Sequence, residues 1–213
     1  MFPALQLEIM ERFTAVEEHF RGSKRLRGDP KVTAKGLVFV EIYAVYEYTV
    51  KSVMRIAIDK IVAQSHTFAE LRPSLLAIFL DPELQSLRST GPKTIWESRL
   101  TLLERSTSKQ PISAVRALPS DGNHFRHTRV ELILKSLGVT RTFTRLRRHL
   151  YMIDEVVNNR NSISHGEETP LDIGRRYSRP DILKRIRLTQ KICLRLVSIV
   201  AEHCDEPSKH CRA

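Results

Sequence analysis

Glycine, cysteine and long apolar runs are all scarce in this chain of 213 residues, and each scarcity excludes something. Only 8 glycines occur, and none falls in a G-x-G-x-x-G or G-x-x-x-x-G-K-[ST] pattern, so neither glycine loop that cradles nucleotide phosphates is present. Three cysteines (Cys193, Cys204 and Cys211), odd in number and late in the chain, make no disulfide framework. No H-E-x-x-H or C-x-x-C occurs, and neither a metal nor any other cofactor is expected. Charge interrupts every apolar stretch well before membrane-spanning length. Met1–Met10 carries Glu8 and no basic stretch, so no secretory leader is expected. These features point to a reduced, cytoplasmic protein with no membrane partner.

What is abundant is positive charge. Lys and Arg number 35 against 24 Asp and Glu, a formal net charge of +11. That excess favours a polyanionic partner, with nucleic acid first and an anionic membrane surface second. No helix pairs a lysine-rich face with a broad apolar one, which ranks the membrane last.

Apolar residues recur with helical periodicity along almost the whole chain, and strand alternation is nearly absent. Helices are expected over about 5–20, 32–64, 68–79, 93–104, 129–137, 142–164 and 178–203. The second carries the stripe Val38, Ile42, Val45, Thr49, Val53 and Ile56. Asp81-Pro82 and Thr90-Gly91-Pro92 read as breaks, and 106–123, with Pro111, Pro119 and Asp121-Gly122, reads as loop. Gly138 and Gly166 mark helix ends, and Ser178 with Asp181 has capping-box spacing. The expectation is one all-α domain over 1–213, with its core at about 32–204 and a loose tail at 205–213.

The helix near residue 150 breaks its own pattern. Its seam runs Phe143, Leu146, Leu150, Ile153, Val157, and the next seam position is Arg160. A guanidinium on an apolar seam must be paired, reach water or face a partner. Salt bridges to Glu155 or Glu167 are the structural explanation. Asn161 and His165, four apart, share one helical face, and local rules tend to break at functional sites.

The stretch Val157-Asn158-Asn159-Arg160-Asn161-Ser162-Ile163-Ser164-His165-Gly166-Glu167 resembles the signature of the HEPN superfamily: Arg, four to six residues, then His, with Asn after the Arg and Gly after the His. Arg12 and His19 also satisfy the spacing but lack that context. Phe39–Lys51, with Glu47 following Tyr46, resembles the early long helix of bacterial stand-alone HEPN proteins. Asp121-Gly122-Asn123 through Val139 resembles the helix before the motif helix, so the likeness spans about 32–204.

The resemblance implies a metal-independent endoribonuclease, of a kind found in phage defence and toxin–antitoxin loci, with an antitoxin or regulatory protein as a possible partner. Two protomers would dimerise with their motifs facing, and a ribose 2′-hydroxyl would attack the adjacent phosphate. Arg160 would hold the phosphate, His165 would transfer the proton, and Asn161 would orient the His or contact the phosphate. Glu47 would support Arg160 by pairing with it. In the toxins paired with a nucleotidyltransferase antitoxin a tyrosine commonly stands two residues after the His; here that residue is Glu167, which favours the stand-alone subclass.

Arg175 and Arg176 are candidate RNA contacts, and Arg145, Arg147 and Arg148 are candidates to line the same cleft. Lys184, Arg185, Arg187, Lys191 and Arg195 read first as a solvated helix face. His203-Cys204 and His210-Cys211 form a paired pattern that reads better as tail than as a zinc site. Trp96, Phe39, Tyr43, Tyr46 and Tyr48 are expected in the core, and His124 and His127 in a loop. The alternative function is a non-catalytic helical scaffold of the same fold that binds nucleic acid or protein.

Overall fold

Spacings of three and four place Phe2, Leu5, Ile9, Phe13, Val16 and Phe20 on one face of α1 (Phe2–Gly22), and all six are buried. α2 (Gly28–Ala63) is longer. The whole stripe from Val38 to Ile56 is buried, and so are Phe39, Tyr43, Tyr46 and Val50 around it. A helix buried on more than one side must be surrounded by other helices. α3 (Pro73–Phe79), α4 (Asp81–Ser89), α5 (Ile95–Ser106), α6 (His127–Ser136), α7 (Arg147–Ser164), α8 (Pro170–Arg175) and α9 (Arg179–Cys204) complete the set. The computed structural model describes residues 1–113, 124–144 and 146–212, with the backbone alone at Arg147. The protein is all-α: among the described residues no strand occurs, only isolated β-bridges. Pro119, Asp121-Gly122-Asn123 and Arg145 lie outside the described residues, as does the side chain of Arg147.

The chain divides into two compact units, so the single domain expected from sequence is described in two parts. The first comprises 1–53, 124–130 and 142–198. Within it α8 crosses α2 with no side chain between them. A Cβ on Gly36 would run into the carbonyl of Pro170, and one on Gly174 into the carbonyl of Val32. Glu155 of α7 accepts from Arg185 of α9 at 2.8 and 2.9 Å and from the Tyr177 hydroxyl at 2.7 Å. Tyr177 in turn accepts from the buried Asn159 at 2.9 Å. Arg185 is therefore an internal strut rather than part of a solvated face. At the start of α9, Ser178 and Asp181 exchange backbone-to-side-chain bonds of 3.0 and 3.3 Å, closing the capping box.

The second unit comprises 54–123, 131–141 and 199–213. Further expectations are corrected across the fold. Asp81-Pro82 opens α4, with Pro82 in the first turn where its missing N–H is harmless. Trp96 is 69% exposed on α5, where the Arg99 guanidinium lies 4.8 Å from its ring centroid. The motif helix begins only at Arg147. The Thr144 hydroxyl accepts from the Leu146 N–H at 3.3 Å and meets His149 Nδ1 at 3.2 Å, local bonds that compete with a helical turn. Phe143 is buried outside the helix and Leu146 is exposed.

The tail is not loose. Pro207–His210 forms a 3-10 turn, Arg72 N–H donates to the His210 carbonyl at 2.9 Å, and Arg212 N–H donates to the Glu70 carbonyl at 2.8 Å. His210 is fully buried, its Nδ1 2.7 Å from Gln64 Oε1 and its ring 5.3 Å from His203 and 5.7 Å from His66. Among the described residues no three His, Cys, Asp or Glu form a metal-binding group.

Burial, with the charges of His203, His66 and Arg72 adding to it, lowers the His210 imidazole from 6.5 to about 4. The unfolded chain therefore takes up this proton first as pH falls. The stability His210 contributes is complete above about pH 6.5 and is lost on the way down to about 4, a loss of about 3 kcal/mol. Urea melts at pH 7, 6, 5 and 4 should record this decline, and His210→Asn should flatten it.

Candidate active site

Arg160 sits in the last two turns of α7, where buried Val156, Val157 and Asn159 hold the helix against its neighbours in the first unit. Its guanidinium lies 4.6 Å from the ring centroid of Tyr43 on α2. Nη1–H donates to Asn161 Oδ1 at 3.1 Å and to His124 Nδ1 at 3.2 Å. Accepting at Nδ1 leaves the neutral His124 ring with its proton on Nε2. Neither structural explanation from sequence holds: Glu155 is taken by Arg185, and Glu167 accepts from the Ser162 hydroxyl at 3.2 Å. Among the described residues Arg160 makes no ion pair, and only its Nη1 is bonded to protein.

The ring of His165 lies 6.2 Å from that of His124 at 70°, and His124 stands edge-on to Tyr43, also at 6.2 Å. Tyr43, His124, Arg160, Asn161 and His165 thus form one continuous polar cluster around an exposed imidazole. His165 occupies the last position before the chain turns left-handed at Gly166, φ +72°. Glu167 N–H donates to the Ser162 carbonyl at 2.9 Å and Gly166 N–H to that of Ile163 at 3.2 Å, the paired bonds of a Schellman cap. Glycine at 166 therefore fixes where His165 stands.

Glu47 does not pair with Arg160. Its carboxylate meets Lys51 Nζ at 2.6 Å, one turn on along the same helix, and its charge acts on the Tyr43 phenol. The nearer cation on its own helix wins, and Glu47 reaches the cluster only through Tyr43 and its field. Burial, then Glu47, raises the Tyr43 phenol above its usual value. His124 is held below 6.5 by burial first, then by the positive charges of Arg160 and His165, with Glu47 opposing.

Arg175 and Arg176, the candidate RNA contacts, face acids of their own. Arg175 lies 3.5 Å from Asp172 and 3.9 Å from Asp29, and Arg176 pairs with Glu168 through two nitrogens. His127 opens α6 with its backbone N–H and Nδ1 on Asp154, at 3.0 and 2.7 Å. His124 is the site residue that sequence reasoning left unassigned. It stands outside any periodic segment and 36 residues from Arg160, so no spacing signals it. The buried thiols of Cys193 and Cys204 are both pushed up to about 12, which excludes either as a nucleophile.

The electrostatics can be tested in the free protein. Arg160→Met should raise the His124 pKa and Glu47→Gln should lower it further, both read from imidazole NMR titration; movement in the reverse sense would contradict the geometry. Gly166→Ala forces a left-handed residue with a side chain and should lower stability by about 1 kcal/mol in urea melts.

Residues 6–207 match a family model described as HEPN_MAE_28990-like HEPN, across both compact units and the whole cluster above. Among curated proteins and solved structures, none matches the chain. With nearly its full length matched and its helices arranged as described, the chain belongs to the HEPN_MAE_28990-like HEPN family.

Proposed function

We propose that this protein is a metal-independent endoribonuclease that acts in the cytoplasm as a homodimer, in phage defence or as a toxin under the control of a partner protein. The observation that carries the reading is Arg160: a half-buried guanidinium with no carboxylate among the described residues, beside two histidines and an asparagine. Family membership supports it, since HEPN domains are commonly ribonucleases and often work as dimers.

In this mechanism an RNA phosphate docks on the Nε and Nη2 edge of Arg160, which the described residues leave unbonded. Nη1 stays on Asn161 and His124, so the guanidinium plane is held in one orientation. The ribose 2′-hydroxyl loses its proton to a histidine as O2′ bonds to phosphorus. The P–O5′ bond breaks and O5′ takes a proton, leaving a 2′,3′-cyclic phosphate and a 5′-hydroxyl. His165, exposed and one ring away from Arg160's partner, is the proton-transfer residue. Negative charge developing on the phosphate is stabilised by a cation that is already desolvated and oriented. Across the dimer the second motif supplies the other proton-transfer group.

The deciding measurement is cleavage of total RNA and of a tRNA pool by the wild type, Arg160→Ala and His165→Ala, with and without EDTA. Each variant is first shown to be a folded dimer by light scattering. Cleavage that survives EDTA, falls by about a hundredfold or more in both variants and leaves cyclic phosphate ends is the expected result. An inactive wild-type dimer would favour the scaffold function, and activity indifferent to both substitutions would remove Arg160 and His165 from the site.

A further inference from the structure

The N-terminal half of α7 and the adjoining face of α9 enclose an open groove of about 510 Å³ within the first unit. Arg148, Lys184, Arg187 and Lys191 rim it, all four exposed, and no carboxylate among the described residues lines it. Arg187 shares its charge with Glu17 at 3.1 Å. The other three make no ion pair among the described residues. Met152, Leu183 and Leu188 form a half-buried aliphatic floor.

Three cations held together without counter-charge repel one another, and the effect registers on a neighbour. His149, at the groove's edge, is held below 6.5 by burial and then by Arg148, Lys184 and Lys191 in turn. On α9 the rim positions 184, 187 and 191 follow one helical face, and seven residues of helix advance about 10 Å. His149 and His165 lie on the same helix, 16 residues or about 24 Å apart, so the groove and the Arg160 cluster occupy opposite ends of α7.

From this charge complementarity we infer that the groove binds the phosphate backbone of a single RNA strand at a second site, remote from the Arg160 cluster. The inference rests on the ribonuclease reading only for its link to cleavage; backbone binding itself does not require it. Aliphatic side chains underlie the ribose and base edges without reading sequence, so the contact is sequence-tolerant. A dinucleotide can occupy the Arg160 cluster without reaching the groove, whereas a longer strand engages both.

The test measures binding, not turnover. A fluorescein-labelled RNA dodecamer is titrated by anisotropy onto the full-length His165→Ala protein across a salt series. The groove variant adds Arg148→Ser, Lys184→Ser and Lys191→Ser. A control instead adds Lys24→Ser, Arg25→Ser and Arg27→Ser, which remove equal charge from the exposed connection between α1 and α2. The groove variant should bind about tenfold more weakly at low salt, with the slope of log affinity against log salt reduced by about 2, and the control should change little. Equal loss in both variants, no loss in the groove variant, or displacement of the RNA by an equal charge of poly-glutamate would each overturn the inference. If the wild type cleaves RNA and the groove variant binds as before, the groove fails while the ribonuclease reading stands. If RNA is bound through the groove and never cleaved, the ribonuclease reading fails alone.

Discussion

A cation has been taken most of the way out of water at Arg160 without being given an anion, and the local architecture is what makes that tolerable. The tyrosine face beneath it supplies a quadrupole, and the asparagine oxygen and the imidazole nitrogen supply lone pairs. None of these cancels the charge. A carboxylate in their place would stabilise the fold more simply and would also quench any pull on an incoming anion. The absence of one at this position, among the described residues, is the clearest departure of the chain from what folding alone would ask of it.

Keeping such a group in place requires the helix around it to be rigid, and the means are on the opposite side. Asn159, next in sequence but facing away, is buried and locked to Tyr177, which is locked to Glu155 and so to Arg185. The Arg185 guanidinium also lies 4.5 Å from the Tyr177 ring centroid. One arginine is therefore fully compensated and structural, while the other, one residue beyond Asn159, is not. Arg185 reaches α7 from α9 and meets Glu155 there, whereas Arg160, on α7 itself, meets no carboxylate among the described residues.

Features set by neighbours in sequence were legible from it. The glycine stops at Gly138 and Gly166 and the Ser178–Asp181 box are local chemistry, and the periodic burial of α1, α2 and α9 is local geometry. Pairings across the fold were not. Arg160 was visible as an anomaly, but whether Glu47, Glu155 or Glu167 would answer it depended on distances that no spacing encodes. His124 carried no signal because its importance comes entirely from a partner far along the chain. Pro82 reads the same whether it ends one helix or begins another, and Trp96 looked like core because exposure is a property of the neighbours and not of the residue. The tail was misread for a related reason: a short polar segment is ordered only by what it returns to, here the turn around Leu71.

The crossing of α2 by α8 carries a consequence for how the molecule comes together. Six residues are far too few to hold a helix in water, so α8 has no existence apart from the groove that Gly36 and Gly174 open for it. Its shape is borrowed from α2. The turn that leaves His165 is thus anchored, four residues after Gly166, by a contact that forms only once α2 is already in place. The arrangement at the end of α7 thus depends on that crossing, and a chain without it would carry every one of the polar residues without their arrangement.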